Sequence, residues 1–157
     1  MRIRLSLAKN LDATTIAEMS RRYIESGLPQ SWTEERVGRS IRNGNCAVLT
    51  ARDNRRTVGF AIMEFLDDHA HLNLLAVHPA YRQRGVGAAL VRWLESSART
   101  AGIFTIRLEL RDGNEGAKAF YEHLGYQEVG RRKAYYSGME DARCMARDLT
   151  VAPPSRA

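Results

Sequence analysis

The stretch "LNLLAVHPAYRQRGVGAALVRWLESSARTAGIFTIRLEL", residues 72 to 110, constrains the fold more than any other part of the chain. It begins with a mainly apolar run, interrupted at Asn73, as a strand covered on both faces of a sheet requires. A loop with two glycines follows. "VGAALVRWLESSARTAG" then reads as a helix, with Leu90, Val91 and Leu94 facing the core, Trp93 beside them and Gly102 as its stop. "FTIRLEL" returns as a strand. Strand, helix, strand in that order requires two parallel neighbours joined by a right-handed crossover.

The flanks complete an α/β fold with a mixed sheet. "NLDATTIAEMSRRYIESG" places Ile16, Met19, Tyr23 and Ile24 at helical spacing, with Asp12 or Thr14 as cap and Gly27 as stop. "WTEERVGRSIRNG" predicts a second short helix capped by Thr33. "CAVLTARDNRRTVGFAIMEFLDDHAHLNLLAV" predicts three strands joined by "RDNRR" and "LDDHA", an antiparallel meander. Beyond the centre, "NEGAKAFYEHLG" reads as a helix ended by Gly125, and "YQEVGRRKAYY" and "DARCMARDLT" as closing strands. Residues 1–150 are expected to form one domain, and "VAPPSRA", residues 151–157, a frayed tail.

Composition narrows the function classes. A chain of 157 residues, 44% hydrophobic and 27% charged, has the balance of one globular core. No apolar run approaches the roughly 20 residues of a membrane helix, and "MRIRLSLAKNLD" is too short in apolar residues for a signal peptide. A soluble cytoplasmic protein is expected. Cys46 and Cys144 lie far apart without nearby histidines, so they predict buried thiols rather than a disulfide framework or a zinc site. No His/Asp/Glu cluster has metal-ligand spacing, and no metal is expected. The net charge of +6 attracts phosphates of any kind, but the arginines are scattered and no nucleic-acid motif accompanies them.

The glycine loop suggests which phosphate. Helix N-termini carry unpaired N–H groups and partial positive charge, so they hold anions. Gly85 and Gly87 remove Cβ atoms near those amides, and Arg82 and Arg84 add charge. The chemistry reads as pyrophosphate binding at the helix that starts at Val86; a plain turn is the alternative. The loop is not a Walker loop, since no Gly-Lys-Ser/Thr follows. It is not the usual dinucleotide fingerprint either, since Ala88 and Ala89 stand where a third glycine belongs.

In this order and spacing, "LNLLAVHPAYRQRGVGAALV" and "TIRLELRDGNEGAKAFYEHLGY" resemble the Gcn5-related N-acetyltransferase (GNAT) superfamily, from about Ile3 to Leu149. Arg82-Gln83-Arg84-Gly85-Val86-Gly87 matches its acetyl-CoA signature. "LELRDGNEGAKAFYEHLGY" and "GRRKAYYSGMEDARCMARDL" look most like the ribosomal-protein N-terminal alanine acetyltransferase group. The resemblance implies acetyl-CoA as cosubstrate, its pyrophosphate on the amides from Arg84 to Ala89. It implies main-chain contacts from Leu75, Ala76 and Val77 in a gap where two parallel strands splay. It also implies a contact from Asn114, which the sequence alone offers as a helix cap.

Acetyl transfer needs an amine freed of its proton, a donor for the oxyanion and a proton for the departing thiolate. Glu109 shares a strand face with Arg107, opposite Ile106, Leu108 and Leu110. A carboxylate there must be paired, with Arg107 or Arg111 as local candidates, or must line a wet cleft. The resemblance makes it the general base, acting through water. Tyr121 is a buried hydroxyl seeking a partner, or, by the resemblance, the acid that serves the coenzyme sulfur. His69 and His71 alternate on a strand and read as a solvated pair, with a place toward the acceptor side as the alternative. His78 reads as loop, and His123 as an exposed helix position.

The acceptor wall falls, by the resemblance, to "SGLPQSWTEERV" and "RRKAYYSGMED". Trp32 is an acceptor-facing ring or a core anchor. Tyr135 and Tyr136 shape a peptide slot, and Glu140 and Asp141 offer charge to an ammonium. "GLPQSW" departs from its aromatic-rich counterpart in the subgroup, so two acceptors stay open: a protein N-terminus, or a small amine such as a polyamine, amino acid or aminoglycoside. A non-catalytic acyl-CoA binding module is the reading of another class. Monomer and homodimer both fit.

Overall fold

The computed structural model describes residues 2–152. Of the expected tail, residues 153–157 lie outside the described residues. The strands are β1 (Ile3–Leu7), β2 (Cys46–Asp53), β3 (Arg56–Phe65), β4 (Ala70–Val77), β5 (Thr105–Arg111), β6 (Gln127–Tyr136) and β7 (Glu140–Asp148). The helices are α1 (Ala13–Tyr23), α2 (Glu34–Arg42), α3 (Val86–Thr100) and α4 (Glu115–His123). The strands form one sheet in the order β1-β2-β3-β4-β5-β7-β6. Only β4 and β5 run parallel, as the strand–helix–strand reading required.

The sheet separates two apolar clusters. On one face Leu90, Val91, Leu94 and Ala98 of α3 and Tyr121 and Leu124 of α4 pack on Leu49, Met63, Leu72, Ile106 and Leu108. On the other, Ile16 and Met19 of α1 and Val37 of α2 pack on Val48, Phe60, Ile62, Leu74 and Ala76. β4 thus feeds both clusters, Ala70 and Leu72 one and Leu74 and Ala76 the other. Each fully buried aliphatic side chain here contributes about 1.5–3 kcal/mol of transfer free energy.

The caps bear out part of the sequence reading and correct the rest. Thr33 caps α2, accepting from the Arg36 amide at 3.2 Å, and Gly102 and Gly125 follow α3 and α4 with φ of +79° and +98°. Asp12 stands at the start of α1 but does not cap that helix with its side chain. Its carboxylate accepts instead from the Lys9 amide and pairs with Arg52. Trp93 is 36% exposed rather than packed beside Leu94, and both cysteines are half-buried. β1 had no sequence expectation: it pairs with β2, and its alternation is blurred because Leu7 is exposed at the sheet's edge. Among the described residues no helix is long and apolar enough to cross a membrane.

Candidate active site

A gap opens where β4 and β5 part. Their pairing covers Ala70 to Leu72 against Ile106 to Leu108 and no further. A β-bulge drives the parting: Leu72 faces Met63 and Leu74 faces Ile62, so Asn73 is an extra residue. The bulge also switches the strand's faces. Leu72 points to the α3 side and Leu74 to the α1 side, where an unbroken strand would put both on one face. Beyond it, Leu75, Ala76 and Val77 complete β4 with no pairing to β5, and the Val77 carbonyl accepts from Arg82 Nε at 3.0 Å.

The mouth of α3 stands at the end of that gap. Its N-cap position is Gly85 at φ +83°, and no side chain caps the helix. The first hydrogen bond back along it is from the Ala89 amide to the Gly85 carbonyl, so Val86, Gly87 and Ala88 lie in the first turn, where amides have no helical partner. The two glycines serve different ends. Gly85 is required by its left-handed backbone, and space around it is open. At Gly87 a Cβ would meet Phe120 ring carbons at 3.1 and 3.2 Å, so its bareness seats the α4 ring against α3 rather than keeping room for an anion. Gln83 is also left-handed, at φ 61°. Arg82 lies over the Tyr23 ring and Arg84 over the Tyr81 ring. The uncapped amides and the open space at Gly85 fit a pyrophosphate.

Tyr121 belongs to the α3-side cluster, 5% exposed. The rings of Phe120 and Tyr126 meet it edge-on, with centroids at 4.9 and 5.5 Å. Tyr126 is fixed in turn by its hydroxyl on Glu95, which also pairs with buried Arg147 at 2.7 Å. Burial, and then the neighbouring Tyr136, push the Tyr121 hydroxyl well above its ordinary value, so it stays protonated at any working pH. Asn114 is the helix cap its position suggested, Oδ1 accepting from the Ala117 amide at 3.1 Å.

Glu109 lies on the opposite face of β5, one position past the last pairing with β4, with its side chain 8% exposed. Its partner is neither arginine proposed from sequence. Arg107 is exposed. His71 presents Nε2 to both carboxylate oxygens, at 2.8 and 3.0 Å, and Nδ1 to Asn73 Oδ1. The expectation of a solvated His69/His71 pair is therefore corrected for His71. Burial raises the Glu109 carboxyl, but hydrogen bonds from His71 and Tyr135 and the charges of His71 and Arg132 outweigh it and hold it below its ordinary value. Burial lowers His71, but Glu109, Asn73 and Glu64 outweigh that and raise it. Tyr136, raised first by burial and then by the charges of Tyr135 and Glu109, itself raises Tyr121, and so is coupled electrostatically to both.

On the expected acceptor side, Trp32 takes the core-anchor alternative, while Glu140 and Asp141 differ from expectation. Trp32 is a core anchor, 8% exposed among Val37, Ile16 and Met19, with Arg36 stacked 3.7 Å from its ring centre. Glu140 is neutralised by Arg111, and Asp141 holds the hairpin by accepting from the Ala134 amide. Tyr135, 41% exposed, and Tyr136 do flank Glu109. Arg111 carries a role that sequence reasoning missed. It donates to the Ile24 and Ser26 carbonyls after α1 and also binds Glu140 at the hairpin. One guanidinium thus ties together the two segments expected to wall the acceptor.

The comparisons agree with this geometry. The family model described as "Acetyltransferase (GNAT) family" matches residues 13–126. The chain is 40% identical over 106 residues to the ribosomal protein bS18 alanine N-acetyltransferase of Salmonella typhimurium, covering 66% of this chain and 70% of that one. It is 32% identical over 143 residues to the N-alpha-acetyltransferase RimI of Mycobacterium tuberculosis, covering 87% of each. The crystal structure of the ribosomal-protein-S18-alanine N-acetyltransferase from Escherichia coli superposes with a TM-score of 0.81 at 28% identity, over 99% of each chain. With the parted parallel strands, the uncapped helix mouth and the motifs at Arg82–Gly87, these matches establish that the chain belongs to the acetyltransferase (GNAT) family and is an acetyl-CoA-dependent N-acetyltransferase.

Proposed function

We propose that the chain acetylates the α-amine of a protein or peptide N-terminus, with Glu109 accepting the amine's proton and Tyr121 supplying one to the leaving sulfur. The observation that carries this reading is the placement of Glu109. Its carboxylate sits one residue past the last β4–β5 pairing, beside Tyr135 of the β6–β7 hairpin, and two residues before Arg111, which holds the segment after α1. The relatives named above act on ribosomal-protein alanine termini or are α-amine acetyltransferases, which supports the same acceptor class.

Acetyl-CoA supplies the activated acetyl group. The amides of Val86, Gly87 and Ala88 would hold its pyrophosphate, with Arg82, Gln83, Arg84, Gly85 and Ala89 shaping that mouth. The main chain of Leu75, Ala76 and Val77 would line the pantetheine arm, and Asn114 would touch it while capping α4. Glu109 takes a proton from the acceptor ammonium, directly or through a water. An α-ammonium, with pKa of about 8, yields it far more readily near neutral pH than a lysine at about 10.4. Tyr121, held protonated by burial, donates from its hydroxyl. Tyr135 and Tyr136 would flank the first residues of the acceptor.

The test is acetyl transfer read by mass spectrometry. The protein and acetyl-CoA are mixed with peptides varied in their first residues, together with polyamines, amino acids and aminoglycosides. Acetylation at peptide α-amines, lost in Tyr121→Phe, is the expected result. Acetylation of a small amine alone would overturn the acceptor assignment, and coenzyme A binding without any transfer would overturn the mechanism.

A further inference from the structure

The pairing of His71 with Glu109 bears on the amine's proton, and it rests on the reading that Glu109 receives it. A lone carboxylate stores that proton poorly. The ordinary values are about 4.5 for glutamate and about 8 for an α-ammonium, so the transfer runs uphill by between three and four pKa units. An imidazole, ordinarily at about 6.5, lies much nearer the ammonium.

The geometry couples such an imidazole to Glu109. His71 Nε2 lies within 3.0 Å of both carboxylate oxygens, and Asn73, the bulge residue, presents Oδ1 to Nδ1. An amide oxygen at Nδ1 holds that nitrogen protonated and leaves Nε2 as the nitrogen that gains or loses a proton. His71 is 22% exposed and Glu109 8%, so water reaches the pair from the histidine's side. We propose that His71 Nε2 is the resting place of the amine's proton, reached through Glu109.

The step balances. Before transfer the pair is a carboxylate and a neutral imidazole with Nδ1–H on Asn73. An ammonium N–H bond breaks and its electron pair stays on nitrogen, while an O–H bond forms on Glu109. That O–H bond breaks as an N–H bond forms at Nε2. The products are a neutral amine, a carboxylate and an imidazolium, the last two in the ion-paired arrangement the structure shows. The imidazolium then returns its proton to water. His71 touches no substrate atom in this scheme; it is a positioning residue that acts through Glu109.

The surroundings favour this. On β3, Glu64 is the register partner of His71, and its charge supports the imidazolium. On β5, Arg107 is the parallel partner and is exposed, while Glu109 is in contact. Tyr135 and Arg132 from β6 act on Glu109, as Glu109 acts on Cys144 from β7. From α1, Ile16 and Met19 share an apolar cluster with Leu74 and Ala76 of β4.

Two measurements test the assignment. In the first, kcat/KM for an accepted amine is followed from pH 6 to 9.5 in the wild type and in His71→Gln. The wild-type acid limb should have its midpoint above 6.5. His71→Gln should be slower by roughly a hundredfold at pH 7, the low end of the range general bases contribute. Its deficit should shrink above pH 8, where solvent already supplies free amine. A deficit of the same factor at every pH, or none, would overturn the proposal. In the second, the His71 ring signals are titrated by NMR in the wild type and in Glu109→Gln, assigned by their loss in His71→Gln. A midpoint above 6.5 that falls in Glu109→Gln is expected, and in Asn73→Ala it should fall by less. A midpoint that ignores Glu109→Gln overturns the proposal. This arm needs no acceptor, so failure to find an acetylated amine counts against the acceptor reading, while the titration decides the role of His71.

Discussion

The two sides of the cleft are built by different means. The donor side, from Leu75 through the mouth of α3, is mainly backbone: parted strands, uncapped amides and a left-handed glycine. The acceptor side is held by charged side chains that reach across the chain. Arg111 binds carbonyls 85 and 87 residues away and a carboxylate 29 away, and His71 reaches Glu109 across 38 residues. A backbone cradle tolerates changes in side chains but not in conformation. A side-chain lattice can be retuned one residue at a time, so substitutions on the two sides should separate donor from acceptor effects.

The largest expected effect lies where the sides meet. Tyr121→Phe should lower kcat by a factor of about 10² to 10⁴, the range of general acid catalysis, while leaving the affinity for coenzyme A and the Tm close to wild type. Steady-state kinetics, calorimetric titration with coenzyme A and thermal unfolding check all three. A kcat within threefold of wild type would remove Tyr121 from the chemistry.

On the donor side, Gly87→Val should push Phe120 off α3, since the first added carbon already meets the ring at 3.1 Å. Overpacking of this kind costs about 1–3 kcal/mol, and the affinity for coenzyme A should fall by more than about tenfold as the helix mouth shifts. Retained affinity would show that the cradle does not depend on the α3–α4 contact. On the acceptor side, Arg111→Ala should raise the peptide KM by about tenfold as its ties to Ile24, Ser26 and Glu140 are lost, and leave coenzyme A binding unchanged. A parallel loss of coenzyme A affinity would mean that the two sides are not separable.

The same division explains what the sequence disclosed. The parallel pair, α2 with its Thr33 cap and the mouth of α3 were legible because each depends on local spacing: an apolar run, a cap, a glycine. The bulge at Asn73 was not legible, because nothing in "HLNLLAV" marks which residue goes unpaired. With the bulge hidden, His71 looked like a solvated histidine and Glu109 like a partner for nearby arginines. Carboxylates at the hairpin suggested an ammonium site, yet Glu140 is already paired through a residue on another strand. The two glycines of the loop looked alike in sequence, but one answers to φ and the other to a ring from α4.

The smallest expected effect is on stability, and its pH window follows from the His71–Glu109 pair. Glu109 titrates below its ordinary 4.5 in the folded chain, so its contribution is present above that value and fades as pH falls through the lower folded one. His71 titrates above its ordinary 6.5, so its contribution is whole below 6.5 and fades as pH rises through the higher folded one. Both are complete only from about pH 4.5 to 6.5. A partly exposed pair of this kind contributes about 1 kcal/mol, or about 2–4 °C of Tm for a chain of this size. The Tm difference between wild type and His71→Gln should therefore be greatest near pH 5.5 and shrink toward pH 3 and pH 9. A difference that does not vary with pH would mean that packing, not charge, joins β4 to β5 at this point, and the acceptor side would then be less electrostatic than its contacts imply.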